Sequence, residues 1–142
     1  MTLHKKTRTL IGCACALGLA LSALLPSSAQ EDGKVFELRT YTATPGNLDN
    51  LHARFRDHTT RIFRKHGMEV VGYWSPTEGD EAEDTLVYIL EHKSRAAADA
   101  SWQAFIADPE WEKVAAASNE NGPILAGIER KYLKATDYSP LK

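Results

Sequence analysis

Lys34-Val-Phe-Glu-Leu-Arg-Thr-Tyr-Thr42 alternates in side-chain character and is rich in β-branched and aromatic residues, so it reads as a β-strand. Its parity places Glu37, Arg39 and Tyr41 on one face and Phe36 and Leu38 on the other. The apolar pair is expected to lie under helices, which turns the polar set away from them. Thr44 and Pro45 follow as an expected N-cap and first helical position. Leu48, Leu51, Phe55, His58, Ile62 and His66 then recur at steps of three and four, an amphipathic helix that Gly67 ends.

Residues 68–75 read as a second strand, 76–84 as an acidic, glycine-containing loop and 85–92 as a third strand. A second helix starts after Ser94 and carries Trp102 and Phe105. Asp108 and Pro109 open a short third helix with Trp111, Val114 and Ala115, which Asn121, Gly122 and Pro123 stop. Residues 128–134 alternate as the last strand. The order is β-α-β-β-α-β, the split arrangement of an α+β, ferredoxin-like fold.

The 142 residues suit one domain, and 43% apolar with 25% charged residues is an ordinary globular composition. A net charge of −2 without a basic stripe speaks against nucleic acid as a partner, since phosphate binding needs clustered Lys and Arg. Residues 1–29 carry a basic start (His4, Lys5, Lys6, Arg8), an apolar run from Leu10 to Leu25 and small residues Ser27 and Ala29 before Gln30. That is the pattern of a cleaved signal peptide, and the run is shorter than the ~20 residues that span a bilayer. Residues 30–142 are thus expected as the mature domain, periplasmic or secreted and not membrane-bound after cleavage. Cleavage would remove three basic and no acidic residues, leaving 14 basic against 19 acidic and a formal charge of −5. It would also remove Cys13 and Cys15, and with them any disulfide, thiolate chemistry or Cys-bound zinc.

Phe36-Glu-Leu-Arg-Thr-Tyr-Thr42 with Pro45-Gly46, then Val70-Val-Gly-Tyr-Trp74, then Asp108-Pro-Glu-Trp111, resemble the successive signature stretches of the NIPSNAP family. The closing Tyr138-Ser-Pro-Leu-Lys142 resembles the end of its members. The resemblance implies a dimeric α/β barrel in which two ferredoxin-like sheets pack face to face. It brings no agreed catalytic set. The acidic stretch 78–84 departs from the compact turn usual there. It reads as a solvated loop, with a calcium site as the sharper alternative, although EF-hand spacing is absent.

In such a barrel, Glu37, Arg39 and Tyr41 would point into the lumen between the sheets. The helix-free face is expected to hold Val71, Tyr73, Tyr88, Leu90 and Tyr132, an area that favours a homodimer. Arg39 would anchor an anion or carbonyl, with Tyr41, Tyr88 and His92 as hydrogen-bonding or proton-transfer groups. His58, on the apolar stripe of the first helix, is a further acid–base candidate, and Trp74 a pocket-rim candidate. The expected ligand site is therefore Arg39, Tyr41, His58, Trp74, Tyr88 and His92, open to a small organic molecule. The alternative is a binding or scaffold protein whose barrel is filled by a buried Glu37–Arg39 network that sets dimer register. No His spacing suits a metal, and no phosphate loop, nucleophile elbow or dinucleotide fingerprint occurs, so no metal or cofactor is expected.

Overall fold

The computed structural model describes residues 33–142; the expected leader and both cysteines lie outside the described residues. Four strands, β1 (Val35–Ala43), β2 (Glu69–Trp74), β3 (Thr85–His92) and β4 (Leu125–Leu133), form one antiparallel sheet in the order β2-β3-β1-β4. Helices α1 (Leu48–Arg54), α2 (Thr60–Lys65), α3 (Arg95–Ile106) and α4 (Pro109–Ser118) complete the expected ferredoxin-like α+β fold. Among the described residues no helix is long and apolar enough to cross a membrane.

Local details differ from the sequence reading for identifiable reasons. Thr44 and Pro45 do not start a helix. They make a turn in which Gly46 takes a φ of +77° and the Asn47 amide donates to the Thr44 carbonyl at 2.9 Å. Pro followed by Gly is the demand of a type II turn, which only glycine meets without strain. Helix α1 therefore starts at Leu48. β4 begins three residues earlier than expected, because a register shift between Thr42 and Ala43 lets Ala43 pair with Leu125. The acidic loop contains a 3-10 turn, Asp80–Glu83, with Asp80, Glu81 and Glu83 exposed.

The expected long first helix is interrupted by a π-helical turn, Phe55–Thr59. Its widened geometry leaves carbonyls that the side chains of Thr59 and Thr60 satisfy, donating to Arg54 O at 3.1 Å and Phe55 O at 2.7 Å. One extra residue per turn shifts the inward stripe. Past Phe55, Thr59 takes the inward place and His58 turns outward into solvent, while Arg54 and Phe55, three and four residues after Leu51, are both buried by ordinary helical spacing.

The face assignment of the sheet is also reversed. All four helices cover the side that carries Glu37, Arg39 and Tyr41, which register opposite Leu90, Tyr88 and Leu86 of β3. Tyr73, Tyr88 and Leu90, expected on the open face, belong to this helix-covered core. β1 alone does not settle the matter, since each of its faces is mixed. The sum over neighbouring strands does, because Leu86, Tyr88 and Leu90 share the covered face and contribute far more apolar area. The opposite face carries Leu38, Ile89, Val87 and Trp74. Lys134, Ala135, Thr136, Ser139 and Leu141 of the C-terminal tail border Phe36 and Ile89 at one end of it.

Candidate functional site

Glu37 is fully out of solvent at the centre of the helix-covered face. Its Oε1 accepts from Arg39 Nε at 2.8 Å, while Oε2 accepts from His92 Nε2 at 2.8 Å and Trp102 Nε1 at 2.7 Å. Burial alone would raise this carboxyl, yet the His92, Trp102 and Arg39 hydrogen bonds with the Arg39 charge outweigh it and hold it at about 2. The Arg39 guanidinium lies 3.8 Å from the Trp102 ring centroid, a cation–π stack, and its Nη1 donates to the Tyr41 hydroxyl at 3.0 Å. Burial disfavours its charge, but Tyr41, Tyr88 and Glu37 more than restore it. His92 donates through Nε2 to the ionised carboxylate, and its buried Nδ1 has no partner among the described residues.

Two adjoining cavities open between sheet and helices, of about 200 Å³ and about 230 Å³. Both are walled by Tyr41, Phe105, Trp111 and Ile128. The first adds Arg54, Phe55, Phe63 and Leu125, the second Arg39, Trp102 and Arg130. The walls interlock through edge-to-face rings such as Tyr41 on Phe55 at 5.7 Å, with Phe105 and Trp111 tilted at 4.4 Å. Tyr88 lies behind Tyr41, their centroids 5.2 Å apart, and its hydroxyl has no partner among the described residues. Burial pushes the Tyr88 phenol well above its ordinary value, so it stands as a neutral donor.

Of the six residues singled out in the sequence, the fold brings Arg39, Tyr41, Tyr88 and His92 together. Arg39 and Tyr41 line a cavity, whereas Tyr88 and His92 are packed behind the lining. His58 stands on a separate surface groove with Asp57 and Lys113, and Trp74 lies half exposed on the opposite sheet face, its ring over Gly72. The expected lumen position is corrected as well, since the cluster sits inside a single chain, beneath its own helices. Sequence reasoning does not single out Trp102 or Arg54 as site residues. The signal for Arg54 was a charged residue three positions after Leu51 on an apolar stripe. Among the described residues no three His, Cys, Asp or Glu side chains come together to hold a metal.

The NIPSNAP family profile matches residues 36–140. An uncharacterized NIPSNAP-like domain protein from Burkholderia xenovorans superposes with a TM-score of 0.67 at 19% identity, covering 77% of this chain and 90% of its own. A NIPSNAP family protein of unknown function from Agrobacterium tumefaciens gives 0.67 at 23% identity, with 78% and 96% covered. SnoaB, a cofactor-independent oxygenase from Streptomyces nogalater, gives 0.51 at 18% identity, with 76% and 98% covered. No curated protein matches the chain. With the profile spanning nearly the whole of the described domain, and with the fold shared by its solved members, this chain belongs to the NIPSNAP family.

Proposed function

We propose that the domain binds a small aromatic organic molecule in the paired cavity beneath its helices, with no need of metal or nucleotide. The observation that carries this reading is the wall itself: Tyr41, Phe105, Trp111 and Ile128 border both cavities, with guanidinium and phenol groups at their edges. Each cavity alone is smaller than the ~300–1,000 Å³ of ordinary ligand sites, and side by side they reach the lower part of that range. The same fold serves a cofactor-independent oxygenase in Streptomyces nogalater, so its framework is compatible with chemistry run by side chains alone.

Ile128 is half exposed at the border of both cavities, so Ile128→Trp fills their mouth without disturbing the core. Small phenols and aromatic carbonyl compounds should raise the melting temperature of the wild type in a saturable way and leave Ile128→Trp unmoved. A flat response of the wild type across such a set would overturn the reading.

A non-catalytic scaffold role is the second reading, favoured by the closure of the Glu37, Arg39, His92 and Trp102 network on itself. In either case we take the open face with Leu38, Val87, Ile89 and Trp74 to be covered by a second copy, as the barrel implied by the family resemblance requires. Leaving it bare costs about 25 cal/mol per Å² of apolar surface. The leader pattern of residues 1–29 supports action after export.

A further inference from the structure

Arg54 is the one cation of the helix-covered core without a counter-charge among the described residues. Its side chain is only 6% exposed, yet no carboxylate lies within ion-pair distance, whereas Arg39 has Glu37. Nη1 makes a long hydrogen bond to Ser118 Oγ at 3.2 Å, and Nε has no partner at all among the described residues. The Trp111 ring centroid is 5.4 Å from its Cζ. A guanidinium carries five donors and stays protonated, so a buried one with a single weak bond is a costly arrangement that folding alone does not explain.

Its position gives the cost a use. Arg54 lines the smaller cavity together with Tyr41 and Trp111, and also the outer groove of about 440 Å³ bordered by Asp57, His58, Lys113 and Ser118. It is thus the side chain common to an apolar interior and a solvent-facing groove. Asp57, the one carboxylate on that groove, is exposed and makes no ion pair with it. Arg54 and Phe55 stand three and four residues after Leu51, so both fall on the inward face of the helix just before the π-helical turn. Burial lowers the pKa of Arg54, and the phenols of Tyr41 and Tyr88 stand close enough to work against that fall. The Tyr88 hydroxyl has itself no partner among the described residues.

We propose that Arg54 is the anchor for the carboxylate of a small aromatic acid whose ring lies between Tyr41, Phe105 and Trp111. This rests on the cavity being a ligand site, as proposed above, and adds the charge class of the ligand. One carboxylate neutralises one uncompensated guanidinium and accepts from Nε and a terminal nitrogen in the planar, two-bond geometry that Arg favours. The aromatic body replaces water against the ring walls.

The experiment is a calorimetric titration of the folded protein with 4-hydroxybenzoate and with its uncharged isostere 4-hydroxybenzamide, repeated on Arg54→Met and Arg54→Lys. The wild type should bind the acid at least about tenfold more tightly than the amide, since a charge-assisted pair is about twice as strong as a neutral one. Arg54→Met should lose that preference while still binding the amide, and Arg54→Lys should keep part of it. Removing an uncompensated buried charge is expected to leave the fold intact. Equal wild-type affinities for acid and amide, or an acid preference unchanged in Arg54→Met, would overturn the anchor and leave the cavity reading standing. Absence of binding by both compounds overturns both.

Discussion

Glu37→Gln is the perturbation that probes the centre of the site most directly. The wild-type carboxylate receives three hydrogen bonds of 2.7–2.8 Å and sits beside the Arg39 charge, fully removed from solvent. Its pKa is held at about 2, against an ordinary 4.5. At ~1.4 kcal/mol per pH unit, that difference is at most about 3 kcal/mol of stability at neutral pH. A carboxyl whose pKa falls on folding contributes fully above its unfolded value. The contribution therefore holds above pH 5 and is lost progressively as pH drops through 4.5 toward 2. Glutamine keeps the shape but removes the charge, and its amide must direct N–H toward a group that is itself a donor. Breaking one partner of a buried pair typically costs about 3–5 kcal/mol. Urea unfolding of both proteins at pH 7, 5 and 3 should show a difference of about 3 kcal/mol at pH 7 that shrinks markedly by pH 3. A difference under about 1 kcal/mol at pH 7, or one that does not change with pH, would refute an ionised, structurally engaged Glu37.

Two further outcomes concern assembly and processing. Val87 pairs with Thr40 and Trp74 on the open sheet face, so Val87→Lys should convert a dimer to a folded monomer in light scattering at micromolar concentration, and a wild type that is itself monomeric would sink the assignment of that face. Intact mass of exported protein should correspond to a chain beginning at Gln30; retention of residues 1–29 would contradict the leader reading.

A second charged network, centred on the buried Asp108, lies in the helical layer and is separate from Glu37. Asp108 caps α4 by accepting from the Glu110 amide at 2.9 Å, and its other oxygen meets His66 Nε2 and Lys65 Nζ, each at 2.7 Å. The Lys65 and His66 hydrogen bonds hold this carboxyl well below the usual range. It ties the end of α2 to the start of α4 and thereby closes the helical layer over the cavities.

Strand and helix order, the α+β class and the family were legible in the sequence because they rest on local periodicity and on short motifs. Alternation in Val35–Ala43, the Ser94 and Asp108 caps and the breaks at Gly67 and Pro123 are properties of neighbouring residues. Two decisions were not local. Which face of β1 meets the helices depended on its register against Leu86, Tyr88 and Leu90 and on a Trp102 N–H that arrives from 65 residues away. Which residues of the first helix point inward beyond Phe55 depended on a π-helical turn, whose extra residue exchanged His58 for Thr59. A period of two or of 3.6 records that one face differs from the other. The neighbour that each face meets, and therefore which charges are drawn out of water, is set only when the layers pack.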